Sequence, residues 1–152
     1  MSDDSVLALN ENPGGFNRVM GLRFVSASAD EVVGEWEVGE QHLQPYGIVH
    51  GGVYSAVIET LCSVGAALVA RPRGQGVVGL ENHTTFIKAA RAGRLRASAR
   101  PVLKGRRTQV WHAEVINDEG QTLATGSVRL LCLESEAQLA GQTLSVRNSG
   151  ER

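Results

Sequence analysis

The chain has 152 residues, a formal net charge of −1, and 20% charged residues. This length suits one domain with its own core, and the near-neutral charge argues against a protein that coats nucleic acid or an anionic membrane. Cys62 and Cys132 lie far apart without metal-ligand spacing, so we expect two small buried side chains and no metal site. The acidic start and the short apolar run at residues 6–9 do not make a signal peptide, which predicts a cytoplasmic protein.

Residues 1–20 form an N-terminal segment with a loop signal at Pro13-Gly14-Gly15, followed by a small apolar group that predicts one short helix. From Gly21 the apolar residues alternate with polar ones, which predicts two strands joined by a turn at residues 29–31. Residues 39–47 combine polar residues with proline and glycine. They read as a loop that leads into the next element.

Between Gly51 and Ala70, apolar residues recur at three- and four-residue steps and predict a helix. Its opposite face consists of small residues and one acid, Glu59. A helix that is apolar all round is normally buried, and a buried carboxylate must be paired, protonated or used. A purely structural Glu59 and a membrane span are the two alternatives. The second is disfavoured because Glu59 lies in mid-span and no second such segment exists.

Four strand-like runs follow at about residues 77–88, 94–103, 108–117 and 122–133, and residues 134–152 form a polar tail. The order of two strands, one long buried helix and four strands predicts an α+β domain over residues 21–133. One antiparallel sheet of about five or six strands would wrap around the central helix, as in a hotdog fold. Gly74–Gly79 matches the dinucleotide pattern G-x-G-x-x-G, but here a helix precedes it and a strand follows, which is the wrong context.

Several residues around the start of the long helix suit attack on an acyl group. The N–H groups of Gly51 and Gly52 lie at the positive end of the helix dipole and can donate to a developing oxyanion. Glu59 can attack the carbonyl or activate water, and Ser63, one turn further, can hold that water. Gln44 supplies amide hydrogen bonds without charge.

At these residues the sequence resembles the hotdog-fold acyl-CoA thioesterases, in particular the 4-hydroxybenzoyl-CoA thioesterase branch that uses glutamate and the related phenylacetate-pathway type. The family's loop glutamine, helix-start glycine and catalytic glutamate fall on Gln44, Gly51 and Glu59, and its threonine falls on Ser63. The resemblance implies hydrolysis of a small aryl- or medium-chain acyl-CoA, with no cofactor beyond the coenzyme A of the substrate. A non-catalytic acyl-CoA-binding protein and a hydratase or dehydratase on the same fold are the alternatives.

Further candidates concern substrate binding. His50 suits either contact with the thioester or a role in fixing the loop, and Asn82, on the strand after the helix, either lines the acyl pocket or packs within its strand. No acid occurs between Asn82 and His112, and basic groups at turns can bind phosphates. We therefore predict coenzyme A contacts in one turn, with solvated strand faces as the alternative. The residues of this turn are Lys104, Arg106, Arg107 and Thr108.

Helix geometry predicts the assembly. Gly51 and Glu59 are eight residues apart on one helix, which is about 12 Å along its axis. Both must lie within roughly 3 Å of the reacting group to act on one carbonyl. We therefore predict at least a homodimer, assembled further as a dimer of dimers, in which Gln44 and Gly51 come from one subunit and Glu59 and Ser63 from the other.

Overall fold

The structure is a computed structural model and describes residues 3–145. Three α-helices and eight strands follow one another in the order α1 (Asp3–Glu11), α2 (Gly15–Met20), β1 (Arg23–Ala27), β2 (Val32–Glu37), α3 (Gly51–Ala70), β3 (Gln75–Phe86), β4 (Arg94–Lys104), β5 (Thr108–Asn117), β6 (Thr122–Glu134), β7 (Gln138–Leu139) and β8 (Gln142–Thr143). One short 3₁₀ turn, Glu40–His42, lies in the loop before α3, and a second, Arg71–Arg73, directly follows α3.

Six strands make one antiparallel sheet in the order β1-β2-β4-β5-β6-β3. The helix α3 packs on one face of this sheet, and its fully buried residues Val57, Ile58 and Leu61 contribute to a core that also contains Leu95 and Trp111 from the strands. The predicted α+β hotdog arrangement, one antiparallel sheet around a long central helix, is confirmed with six strands.

The long helix has the predicted bounds. It begins at Gly51 after His50 and ends at Ala70, and Pro72, two residues further on, is a residue that cannot continue a helix. The ring of Trp111 occupies the space where any side chain at Gly65 would lie, so the helix and β5 approach closely there. Within residues 3–145, the segment 51–73 is the one helical stretch long and apolar enough to cross a membrane, but it is the core helix of this fold.

The two edge strands of the sheet differ. At one edge β1 has five residues, and the Asn10 side chain from α1 covers it by donating to the Phe24 carbonyl oxygen at 3.0 Å and accepting from the Phe24 N–H at 2.8 Å. At the other edge β3 has 12 residues and pairs only with β6 in the described part of the chain. One long side of β3 is therefore open to another strand.

Both ends of the chain contain more structure than the sequence predicted. The N-terminal segment forms two helices instead of one, because α1 packs against β1 through Asn10, a contact that no local pattern reveals. In the predicted polar tail, β7 and β8 form a hairpin, and the side chain of Leu144 after it occupies the place where a Cβ at Gly76 would lie. The rest of that predicted tail, residues 146–152, lies outside the described residues, as do residues 1–2. The division at residues 20 and 133 stays a prediction.

Candidate active site

The loop before α3 is held from both sides. His42 is buried. Its Nε2 lies 2.8 Å from the Met20 carbonyl oxygen and its Nδ1 accepts from the Gly39 N–H, so the ring is the neutral tautomer with the proton on Nε2. Its carbonyl oxygen accepts from the His50 N–H at 2.8 Å. On the other side, Arg91 Nη1 donates to the carbonyl oxygens of residues 46 and 47 at 2.8 and 3.1 Å.

Gln44 is placed by this loop. Its Oε1 accepts from the Tyr46 N–H at 2.5 Å, and its backbone bonds to Gly47 and Ile48. Because the side-chain oxygen is already an acceptor within the loop, the NH₂ group of the Gln44 amide is the part that can donate to a ligand.

The first two residues of α3 have different roles. The Gly52 N–H donates to His50 Nδ1 at 2.8 Å, so His50 caps the helix. Gly51 is the first helical residue, and an N–H at that position has no partner within a helix. The ring of Phe86 comes within 2.5 Å of the place where a Gly51 Cβ would be, so any larger residue would require this ring to move. Gly51 is thus the free donor at the positive end of the helix dipole.

A groove with a volume of about 270 Å³ opens beside this helix start. Its lining is mostly apolar and includes the aromatic side chain of Tyr54, a residue that is only 3% exposed. Burial raises the pKa of the Tyr54 hydroxyl, which therefore stays protonated at neutral pH. The groove is lined by Gln44, Ile48, Val49, Gly51, Tyr54, Phe86, Ile87, Lys88 and Ala89. A cleft of this kind suits the acyl part of a ligand.

Glu59 lies further along α3, against the open edge strand. Asn82 Nδ2, on β3, donates to Glu59 Oε2 at 3.0 Å and to the Ser55 carbonyl oxygen at 2.9 Å. The other oxygen, Oε1, lies so close to Gly79 that a side chain there would overlap it. The carboxylate is half-buried and is held between helix and strand by an uncharged donor.

Two neighbours of Glu59 on α3 differ in what they offer. Burial and then the negative charge of Glu59 raise the pKa of the Cys62 thiol to about 12, so it stays protonated and is not a nucleophile at neutral pH. Cys62 and Cys132 are both free cysteines, and both are buried as the sequence predicted. Ser63, one turn beyond Glu59, is partly buried, and no hydrogen bond of its hydroxyl is seen within residues 3–145.

The structure brings the predicted residues together in two groups. Gln44 and Gly51 share the groove, whereas Glu59 and Ser63 do not line it. Phe86, which covers Gly51, is the last residue of β3, and Gly79 and Asn82 hold Glu59 near the middle of the same strand. The group with Gln44 and Gly51 therefore lies near the end of the open edge strand, and the group with Glu59 lies near its middle.

The predicted basic turn lies elsewhere. Lys104 forms an ion pair with Asp30 at 2.5 Å. Arg73 Nη1 donates to the Gly105 carbonyl oxygen at 3.3 Å, which places the turn beside the 3₁₀ segment that follows α3. Since α3 has 20 residues, this end is about 30 Å along the helix axis from the groove at its start. Arg106 and Arg107 are exposed there, and their contact with coenzyme A stays a prediction.

Sequence reasoning placed Asn82 on a strand after the helix but did not connect it with Glu59. It also missed Gly79, which lies against Glu59 Oε1, and Thr84. The Thr84 Oγ1 donates to Asn82 Oδ1 at 2.6 Å. One signal was present, since Gly79 is a glycine within a strand-like run, a place where glycine often marks a bulge or a close approach.

Comparison with known proteins identifies the family. Residues 46–124 match the model of the thioesterase superfamily. The Mycobacterium tuberculosis protein "Putative esterase Rv1847" is 36% identical over 136 residues, which are 88% of this chain and 96% of that protein. Its solved structure superposes with a TM-score of 0.78 over 80% of this chain and 98% of that one. The 1,4-dihydroxy-2-naphthoyl-CoA hydrolase of Escherichia coli is 33% identical over 100 residues, 66% of this chain and 73% of that protein.

The structures of two variants of a thioesterase from Staphylococcus aureus are similar to this chain, each with a TM-score of 0.74. Their sequence identities are 27% and 26%, and each match covers 78% of this chain and 98% of the other. One variant has alanine in place of a glutamate and the other in place of a glutamine. These two positions are as far apart in that sequence as Gln44 and Glu59 are in this one. By its family match, its relatives and its fold, the chain belongs to the thioesterase superfamily and is a thioester hydrolase.

Proposed function

We propose that the protein hydrolyses the thioester of a small aryl- or medium-chain acyl-CoA, in sites that two subunits share. The observation that carries this proposal is the position of Glu59. Its carboxylate is half-buried and is held by the uncharged Asn82 against the one long open edge of the sheet. A carboxylate held by a hydrogen bond beside an unpaired edge is placed to act on a substrate brought there by a second chain.

The chemistry follows from the two groups of residues. The acyl group lies in the groove, and the Gly51 N–H donates to the thioester oxygen as negative charge develops on it. The Gln44 amide adds an uncharged donor. Glu59 either attacks the carbonyl carbon, giving an anhydride that water then hydrolyses, or removes a proton from the water that attacks. In both routes the carbon–sulfur bond breaks, the thiolate of coenzyme A leaves and takes up a proton, and the acyl group leaves as a carboxylic acid. Ser63 can hold the water.

The open edge offers a way to complete the site. Two β3 strands that pair antiparallel about a two-fold axis extend the sheet across both subunits. If the axis crosses β3 near His83, Phe86 of one strand lies opposite Leu80 of the partner subunit. Gly51 packs on Phe86. In this pairing it therefore faces the stretch of the partner strand that holds Glu59 of the partner subunit. Leu80 and Phe86 are 51% and 58% exposed in a single chain, and this pairing would cover them.

The relatives support this proposal. The Escherichia coli relative is named for hydrolysis of an aryl-CoA, and a Klebsiella pneumoniae relative is the proofreading thioesterase EntH. The glutamine and glutamate replaced in the Staphylococcus aureus thioesterase keep the spacing of Gln44 and Glu59. Three parts of the proposal rest on the sequence: the dimer of dimers, the cytoplasmic location, and coenzyme A binding by the turn with Lys104, Arg106, Arg107 and Thr108.

A panel of aryl- and straight-chain acyl-CoAs, followed by release of free thiol, tests the proposed activity. Glu59→Ala is the variant, and Glu37→Ala is its matched control, because Glu37 is an exposed glutamate on β2, four strands away from β3 in the sheet. We expect the wild-type protein and Glu37→Ala to hydrolyse the same substrates at similar rates, with Glu59→Ala nearly inactive. No hydrolysis of any acyl-CoA by the wild-type protein would refute the proposal.

A further inference from the structure

We propose that Asn82 is a positioning residue for the reaction, and that Thr84 orients it. The Asn82 amide holds Oε2 of Glu59 and leaves Oε1 as the oxygen that acts on the substrate or on water. This inference rests on the proposed function, because it gives Asn82 its role through Glu59.

The direction of the Asn82 amide follows from its partners. The Thr84 hydroxyl donates to Asn82 Oδ1 at 2.6 Å, which makes that atom the acceptor. The NH₂ group then faces two acceptors, Glu59 Oε2 and the Ser55 carbonyl oxygen, and it has two hydrogens to give. A rotated amide would place its oxygen against two other oxygens and lose both of these bonds. The two acceptors therefore select the orientation in which Asn82 holds the carboxylate, and the Thr84 hydroxyl steadies that orientation by donating to Oδ1.

A β-bulge in β3 makes this contact possible. Residues three apart on a regular strand point to opposite faces of the sheet. Gly79 pairs with Leu130 and Glu81 with Arg129, which are adjacent in β6, so Leu80 is an extra residue in β3. This insertion puts Gly79 and Asn82 on the same face, where both touch Glu59. Bulges often turn a side chain toward a functional site.

Two glycines make room for the arrangement. Gly79 lies against Oε1 of Glu59, where a Cβ would overlap. Gly126 is the partner of Thr84 across the sheet, and a Cβ on Gly126 would come within 2.8 Å of Thr84 Oγ1. The bulge, the two glycines, the hydroxyl and the amide all converge on one carboxylate, which general packing of an edge strand does not require.

An uncharged donor suits this role. An arginine or lysine in place of Asn82 would form an ion pair and reduce the negative charge available for attack. The amide fixes the carboxylate through a hydrogen bond to a charged group, one of the stronger kinds, without neutralising it. Loss of this bond is expected to lower kcat by about 10- to 100-fold, because the misplaced carboxylate must be reordered in each turnover.

The variants Asn82→Ala and Thr84→Val test the inference on the acyl-CoA identified by the substrate panel. The matched control is Thr143→Val, since Thr143 is an exposed threonine on β8, outside the six-stranded sheet and its open edge. We expect kcat to fall by about 10- to 100-fold in Asn82→Ala and by about 3- to 10-fold in Thr84→Val, with KM changed by less than about 3-fold. Thr143→Val should match the wild type in both constants. Thermal unfolding checks that each variant is folded. If Asn82→Ala does not fold, the kinetic constants of Thr84→Val decide whether Asn82 is a positioning residue.

Asn82→Asp supplies a readout that a structural role would not move. It puts a second carboxylate beside Glu59, so at neutral pH the two repel and kcat falls below that of Asn82→Ala. At lower pH the pair shares one proton, the donor returns, and kcat recovers. The neighbouring titratable groups, Cys62 on α3, Glu81 and His83 on β3 and Arg129 on β6, are retained in every variant.

The outcomes separate the two proposals. If Asn82→Ala, Asn82→Asp and Thr84→Val all keep kcat within twofold of the wild type at every pH while Glu59→Ala is inactive, Asn82 is not a positioning residue and the proposed function stands. If Glu59→Ala is itself active, or if the wild-type protein hydrolyses no acyl-CoA, the proposed function fails first.

Discussion

The two edge strands of the six-stranded sheet differ in whether their outer backbone groups are covered. The β1 edge is short and is closed by the Asn10 side chain, which uses both polar groups of the Phe24 backbone. The β3 edge is 12 residues long and has no strand beside it in the described chain. A long unpaired edge is a template for another strand. The chain thus blocks pairing at one edge and permits it at the other.

The candidate catalytic carboxylate lies at the open edge. Glu59 is held by Asn82 and Gly79 of β3, and the groove with Gly51 opens where the same strand ends at Phe86. The β1 edge has no comparable group of residues in residues 3–145 that contributes to the site. In the proposed function this difference makes one surface serve both the partner and the chemistry, and a single chain would then contain the site only in parts.

The largest effect is expected at Glu59. Glu59→Ala should lower the rate of thiol release by at least about 100-fold, because a general base or nucleophile contributes that much or more. Glu59→Asp keeps the charge but withdraws it by one methylene, so a partial loss is expected. Steady-state kinetics with matched circular dichroism spectra checks this. Activity of Glu59→Ala within a few-fold of the wild type would exclude the mechanism.

A charge at the open edge should break assembly and activity together. Leu80→Lys replaces an exposed apolar side chain in the bulge, and a buried lysine disfavours an interface. We expect dissociation into monomers in analytical ultracentrifugation at micromolar concentration, with roughly tenfold lower activity that rises with protein concentration. Full activity from a monomeric variant would show that the site does not need the edge.

The closed edge should affect stability alone. Asn10→Ala leaves the N–H and carbonyl groups of Phe24 without partners, and Phe24 is 2% exposed. We expect unfolding in urea to require about 1–3 kcal/mol less free energy, with activity and oligomeric state unchanged under folding conditions. A change of oligomeric state in Asn10→Ala would mean that both edges serve in assembly.

The smallest effect on activity is expected from a cross-link that locates the two-fold axis. If the axis passes near His83, the two copies of residue 83 face each other within the range that a disulfide spans. His83→Cys should then form a covalent dimer on mild oxidation, seen on a non-reducing gel, and stay active. The native cysteines are buried and do not interfere. Efficient cross-linking through Thr85→Cys and not His83→Cys would shift the axis and the pairing.

The elements that depend on local sequence were predictable. Helical periodicity and a glycine start placed α3 at its observed bounds, and the strand runs agree with β3 to β6 to within two residues. The helix α1 was not predicted, because its role is to bring Asn10 to β1, a contact between residues distant in sequence.

Within the site, sequence spacing identified Gln44, Gly51 and Glu59 as one set but not how they are held. The bulge at Leu80 is a property of the pairing between β3 and β6 and has no sequence pattern of its own. Without it, Asn82 and Gly79 fall on opposite faces, so their common contact with Glu59 could not be inferred. Gly79, which matched a nucleotide-binding pattern, is explained instead by its contact with a carboxylate oxygen.

The central claim is that one catalytic unit draws Gln44 and Gly51 from one subunit and Glu59 from the other, and complementation measures this directly. Glu59→Ala and Gln44→Ala homodimers should each be weak. Unfolded together in equal amounts and refolded, half of the dimers become mixed, and each mixed dimer contains one intact and one doubly damaged site. The account predicts about a quarter of the wild-type activity, well above either parent. If native mass spectrometry shows mixed dimers while the activity is only the average of the two parents, each site belongs to a single chain and the account is wrong.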